Sequence, residues 1–75
     1  MNLPVQTVRI VGANIRRIRL RKKMSQETLA ELAGLNRTHM SHVENGKAGA
    51  LQIDTMEKLA TALDVHITTL LKGCR

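Results

Sequence analysis

The sequence contains no Phe, Trp or Tyr, one Cys and one Pro. A core without aromatic rings must be built from Leu, Ile, Val, Met and Ala, which suits closely packed helices. The same absence removes the flat faces on which unpaired bases stack, and so argues against a stacking binder of single-stranded nucleic acid. A lone Cys74 excludes an internal disulfide framework and a Cys-x-x-Cys metal cluster, and it fits a reducing cytoplasm. No stretch reads as a signal peptide or a membrane span. An enzyme is the poorest reading. No nucleophile and base stand out as a pair, and a chain of 75 residues is too short to enclose them comfortably.

Acidic residues are missing from one region in particular. Residues 1–23 carry Arg9, Arg16, Arg17, Arg19, Arg21, Lys22 and Lys23 without a single Asp or Glu, within a chain of net charge +6. Such asymmetry favours a polyanion partner. A membrane surface fits less well, because the first helix needs its apolar stripe for the core. The length makes one small domain whose core is marginal.

What is present is concentrated between Ser25 and Gly46. Ser25 is placed to cap a helix over about 26–33, with Leu29, Ala30 and Ala33 on one face. Thr28 stands where a capping box would have Glu, so that box is incomplete. Gly34 ends the helix, where a positive φ costs it little. Asn36 caps a second helix over about 37–44, whose apolar anchors are Met40 and Val43. The small Ala30 and Ala33 let the second helix cross closely over the first. This is the helix-turn-helix unit, in which the second helix enters the DNA major groove. Arg37, Thr38, Ser41, His42 and Asn45 share an arc of roughly 140° on that second helix. The arc is either an ordinary solvated face or the surface that reads bases. Arg37 near the helix start and the basic chain favour the second.

The run Ser-Gln-Glu-x-Leu-Ala-x-x-Ala-Gly-Leu-Asn-Arg-Thr-x-Met-Ser-x-Val-Glu-Asn-Gly resembles the Cro/repressor (Xre-type) helix-turn-helix family. The resemblance extends from about Ile10 to Leu71. It implies an all-α, compact five-helix, lambda-repressor-like DNA-binding domain whose second and third helices form the helix-turn-helix. It also implies that Gln26 contacts backbone phosphate and braces the first recognition-helix residue, and that Lys47 and Asn45 form a second phosphate clamp. Ser25, Asn36 and Arg16 complete the expected phosphate contacts. Helix N-termini favour such anions on physical grounds as well. Family members also pair an Arg with a Glu where Arg19 and Glu44 stand. Arg19 lies on the edge of the first helix's stripe, where a cation needs a partner.

Met1 to Gln6 forms an extended arm, within an N-terminal segment of 1–7. Thr7 caps a first helix over about 8–22, with Val8, Val11, Ile15 and Ile18 as its stripe. Leu20 falls off that stripe. Lys23 replaces a Gly common in the family; either it adopts a positive φ at roughly 1 kcal/mol, or the turn differs. A fourth helix over about 53–63 carries Ile53, Met56, Leu59, Ala60 and Leu63 on one face. Asp64 occupies its exit. His66 caps a fifth helix over about 67–72, Gly73 ends it, and 74–75 is a tail, so the domain covers 8–73. His39 and His42 are three apart, but no Cys or carboxylate completes a metal site with them. No metal or other cofactor is expected.

The base contacts expected are Arg37, Thr38, Ser41 and His42. Arg can donate twice to guanine O6 and N7, and Thr offers a hydroxyl and a methyl. The resemblance implies dimerisation through the fourth and fifth helices, where Val65, Ile67, Leu70 and Leu71 supply apolar surface. The expected function is a sequence-specific regulator of transcription, a homodimer on a pseudo-palindrome in double-stranded DNA, in the bacterial or phage cytoplasm and associated with the nucleoid. No sensor or small-molecule effector domain is expected. Arg-Thr at the start of the recognition helix looks similar to the controllers of restriction–modification systems. A phage-type repressor or an antitoxin is the alternative, and a protein-interaction adaptor on the same fold is the reading from another class.

Overall fold

The computed structural model describes residues 3–74. Five helices follow one another: α1 (Val5–Arg21), α2 (Gln26–Ala33), α3 (Arg37–Glu44), α4 (Ile53–Leu63) and α5 (Ile67–Leu70). No strand occurs among the described residues, in agreement with the all-α expectation. None of the helices is long and apolar enough to cross a membrane.

The core is aliphatic throughout. Val8, Val11, Ile15 and Ile18 of α1 meet Leu29, Ala30 and Ala33 of α2, Met40 and Val43 of α3, and Met56, Leu59, Ala60 and Leu63 of α4. Leu51, from the loop before α4, is fully buried among them. Ser25 Oγ accepts from the Thr28 N–H at 3.0 Å, and Asn36 Oδ1 accepts from the His39 N–H at 2.7 Å. Each bond satisfies one of the donors that a helix start leaves unpaired.

The first helix differs from its sequence reading. It starts at Val5, so the arm of 1–7 shrinks to the residues before it, of which Met1 and Asn2 lie outside the described residues. Thr7 is inside the helix and caps nothing. Pro4 is the N-cap, with φ −56°, and its carbonyl accepts from the Val8 N–H at 3.0 Å. Proline is well suited to a helix start, where its fixed φ and missing N–H cost nothing. Leu3 packs against the core.

Four further expectations are corrected. Ile53 is 48% exposed; it is the first residue of α4 and projects beyond the face that Met56 and Leu59 bury. α5 ends at Leu70, and the chain continues through turns at 71–73. Cys74 packs against the core and is not a free tail. Leu70 is fully buried within one protomer and therefore unavailable to a dimer contact, whereas Val65, Ile67 and Leu71 are only half-buried.

Two connections have left-handed backbone at residues other than glycine. Lys23 has φ 58° and Asp64 has φ 55°. Asp tolerates this region better than a long side chain does. Lys23→Gly is therefore expected to stabilise the fold by about 1 kcal/mol, raising the Tm by roughly 4–8 °C. An unchanged or lower Tm on thermal unfolding would place the strain elsewhere.

Candidate nucleic-acid interface

Three segments compose the candidate interface: the start of α2, the outer face of α3, and the loop of 45–52. α3 is fixed from behind. Met40 and Val43 are fully buried. α1 lies so close that a Cβ built on Gly12 would overlap the Val43 carbonyl oxygen. Sequence reasoning missed this contact. The available signal was a glycine inside a strongly periodic helical pattern, which requires a packing reason.

Glu44, at the last turn of α3, is 9% exposed and Arg19 8%. Arg19 Nε donates to Glu44 Oε2 at 2.6 Å and Arg19 Nη2 to Glu44 Oε1 at 2.9 Å, a two-pronged pair. Arg19 Nη1 donates to the Met24 carbonyl at 2.9 Å, which fixes the turn between α1 and α2. Gln26 Nε2 donates to Glu44 Oε1 at 3.1 Å. Gln26 thus braces the end of α3, and not its first residue as the resemblance implies. One carboxylate therefore ties α1, α2 and α3 together. The arrangement also neutralises an acid that would otherwise stand beside the candidate interface.

On the outer face Arg37 and Thr38 are exposed, and Ser41 and His42 are half-exposed. Arg37 Nη1 lies 3.9 Å from Glu27 Oε2, with both side chains more than 70% exposed. A solvated pair this long contributes little and leaves the guanidinium able to turn to another acceptor. Asn45 Nδ2 donates to Ser41 Oγ at 3.3 Å; the hydroxyl proton of Ser41 remains free to donate outward. Among the predicted phosphate contacts, Ser25, Asn36, Asn45, Lys47 and Arg16 are exposed, while Gln26 is half-buried.

His39 stands apart from this face. Its Nε2 donates to the Ala50 carbonyl at 2.7 Å and so anchors the loop of 45–52 onto α3. Asn36, Thr38, His42 and Lys47 surround a shallow depression between the recognition helix and that loop. No group of three or more His, Cys, Asp or Glu among the described residues is placed to hold a metal ion.

At the far side of the fold, Asn14 is buried. Its Nδ2 donates to the carbonyls of Leu70 at 2.9 Å and Lys72 at 2.8 Å, and its Oδ1 accepts from Arg17 Nη2 at 2.7 Å. This latch between α1 and α5 was also missed. A polar residue flanked by Val11, Ile15 and Ile18 on the buried face was its signal.

The helix-turn-helix family model matches residues 15–70. The chain belongs to the helix-turn-helix family. Within that family, the control protein C.BamHI of Bacillus amyloliquefaciens is 41% identical over 63 residues, spanning 83% of this chain and 76% of that protein. The crystal structure of the restriction–modification controller protein C.AhdI from Aeromonas hydrophila superposes with a TM-score of 0.79 at 40% identity, covering 84% of this chain and 94% of that one. SinR, a master regulator of biofilm formation solved in complex with DNA, superposes with a TM-score of 0.75 at 34% identity, over 83% and 98%. Both solved structures superpose on the five-helix frame described above.

Proposed function

We propose that this protein is a sequence-specific regulator of transcription that binds double-stranded DNA as a homodimer, on an operator with two-fold pseudo-symmetry. Family membership itself assigns DNA binding and regulation, not catalysis. The observation that carries the finer reading is the outer face of α3. It is polar and accessible, held from behind by a buried ion pair and flanked by an acid-free basic loop. Arg37, Thr38, Ser41 and His42 read base edges. Ser25, Gln26, Asn36, Asn45, Lys47 and Arg16 hold phosphates, which position the protein and make affinity fall with salt. Val65, Ile67 and Leu71 form the paired surface. The likeness to control proteins favours a role in a restriction–modification system. Cytoplasmic, nucleoid-associated residence goes with that role.

Selection of bound duplexes from a random library at near-physiological salt tests this reading. A symmetric motif with half-sites about one helical turn apart is expected. Recovery of no motif, with binding that vanishes as salt rises, would reject sequence-specific regulation. In the same assay Arg37→Ala should cost about 1–3 kcal/mol and relax one base position, whereas Lys47→Ala should weaken all sequences alike. Retention of full preference by Arg37→Ala would remove Arg37 from base reading.

A further inference from the structure

Arg9 lies one helical turn before Gly12, at the point where α1 leaves the backbone of α3 and meets the following loop. A Cβ placed on Gly46 would approach Arg9 Cγ to 2.9 Å and Arg9 Cα to 3.0 Å. The stem of Arg9 therefore lies flat on the loop backbone, and Gly46 is buried beneath it. Gly46 has φ 70°, which turns the chain so that Lys47 follows on the outside. Arg9 is nonetheless exposed, and among the described residues it forms no ion pair. Arg9, through its stem, and Lys47, through the chain, thus flank Gly46, and neither forms an ion pair among the described residues.

Among the described residues, neither of them has a free carboxylate beside it. No acid occurs in residues 1–26 or in 45–53. The adjacent Glu44 carboxylate is already held by Arg19 and Gln26. A cation at a helix C-terminus can serve the helix itself. Here the carbonyls of Ser41, His42 and Val43 already accept from the Asn45, Lys47 and Gly46 N–H groups.

We propose that Arg9 is a phosphate-binding residue and that, with Lys47, it clamps the DNA backbone beside the C-terminal end of α3. The proposal rests on the DNA-binding reading above and adds α1 to the phosphate-contacting elements at a second point beyond Arg16. Because the two charges belong to different elements, the clamp fixes the angle of α3 in the groove as well as adding affinity.

The test uses Arg9→Met, which keeps the stem that packs on Gly46 and removes only the charge. Binding is titrated against salt on an operator duplex and on an unrelated duplex. The slope of log K against log salt should fall by about 0.9 per protomer. Affinity should drop by the same factor on both duplexes, and the Tm should not change. Arg9→Lys should recover the slope. Wild-type slope and affinity in Arg9→Met would overturn the proposal and leave Arg9 as a packing residue. Lys47→Ala and the unaltered protein are measured alongside. If the unaltered protein itself shows no salt-dependent binding, the DNA reading fails; if only Arg9→Met is silent, the clamp alone fails.

Discussion

Glu44→Ala is expected to destabilise the domain by about 3–5 kcal/mol, because it leaves a buried guanidinium without its counter-charge. Two Arg19 nitrogens and the Gln26 amide lose their acceptor in one step. A domain of this length has a total stability of only about 4–11 kcal/mol, so the change removes from roughly a quarter of that stability to all of it. Arg19→Ala should cost a similar amount, and it also frees the Met24 carbonyl that Arg19 Nη1 holds. The double replacement Arg19→Met with Glu44→Leu should cost much less than either single change, since burying two charges already offsets most of their attraction. Urea unfolding of the three variants checks this. Single-variant losses below about 1 kcal/mol would mean that the pair behaves as a solvated surface bridge. In the double variant, recovered stability together with weakened operator binding would identify orientation of the recognition helix as the role of the pair.

Gly12→Ala should lower stability by about 2–3 kcal/mol, although alanine is the better helix former. Two effects oppose each other. Alanine inside a helix gains up to about 1 kcal/mol over glycine. Against this, the added methyl would occupy the position of the Val43 carbonyl oxygen and press on that of Glu44. Both obstacles are backbone, which cannot rotate away as a side-chain tip would, so α1 and α3 must separate. Overpacking typically costs about 1–3 kcal/mol and occasionally more; with two backbone carbonyls in the way the cost is about 3–4 kcal/mol, which leaves the net loss of about 2–3 kcal/mol. The melting temperature followed by helical circular dichroism should fall by roughly 10–20 °C. A rise would show that propensity wins and that the two helices do not approach so closely. Operator affinity should suffer beyond the stability loss, because Val43 and Glu44 belong to the helix that carries the candidate reading face.

How much of this was legible beforehand depended on the range of the interaction. Ser25 and Asn36 act within three residues of themselves, and their capping bonds could be read from residue type and spacing. The buried stripes of α1 and α2 follow from period alone. Lys23 left two possibilities open, and its φ of 58° decides between them. Interactions that span the chain were less accessible. Leu70 has the spacing of a core residue and of an interface residue alike; its full burial depends on how α5 lies across α1 and α4. Gly12 and Asn14 carried local anomalies, a glycine and an amide where a plain helix would have neither, but not the identity of their partners, 31 and more residues away. α1 starts three residues before the expected Val8 because Pro4, and not Thr7, opens the helix.

The amide of Asn14 bears on the order in which the molecule assembles. α5 has four residues, too few to persist as a helix alone. Its terminal carbonyl, that of Leu70, is held by a side chain 56 residues earlier in the chain. Closing so long a loop is entropically costly before other contacts exist to support it. The C-terminal turn therefore docks last, onto a frame already made by the first four helices. Val65, Ile67 and Leu71, the candidate pairing surface, gain their final surroundings only at that step, so under the proposed homodimer reading the helix-turn-helix is in place before two copies can pair.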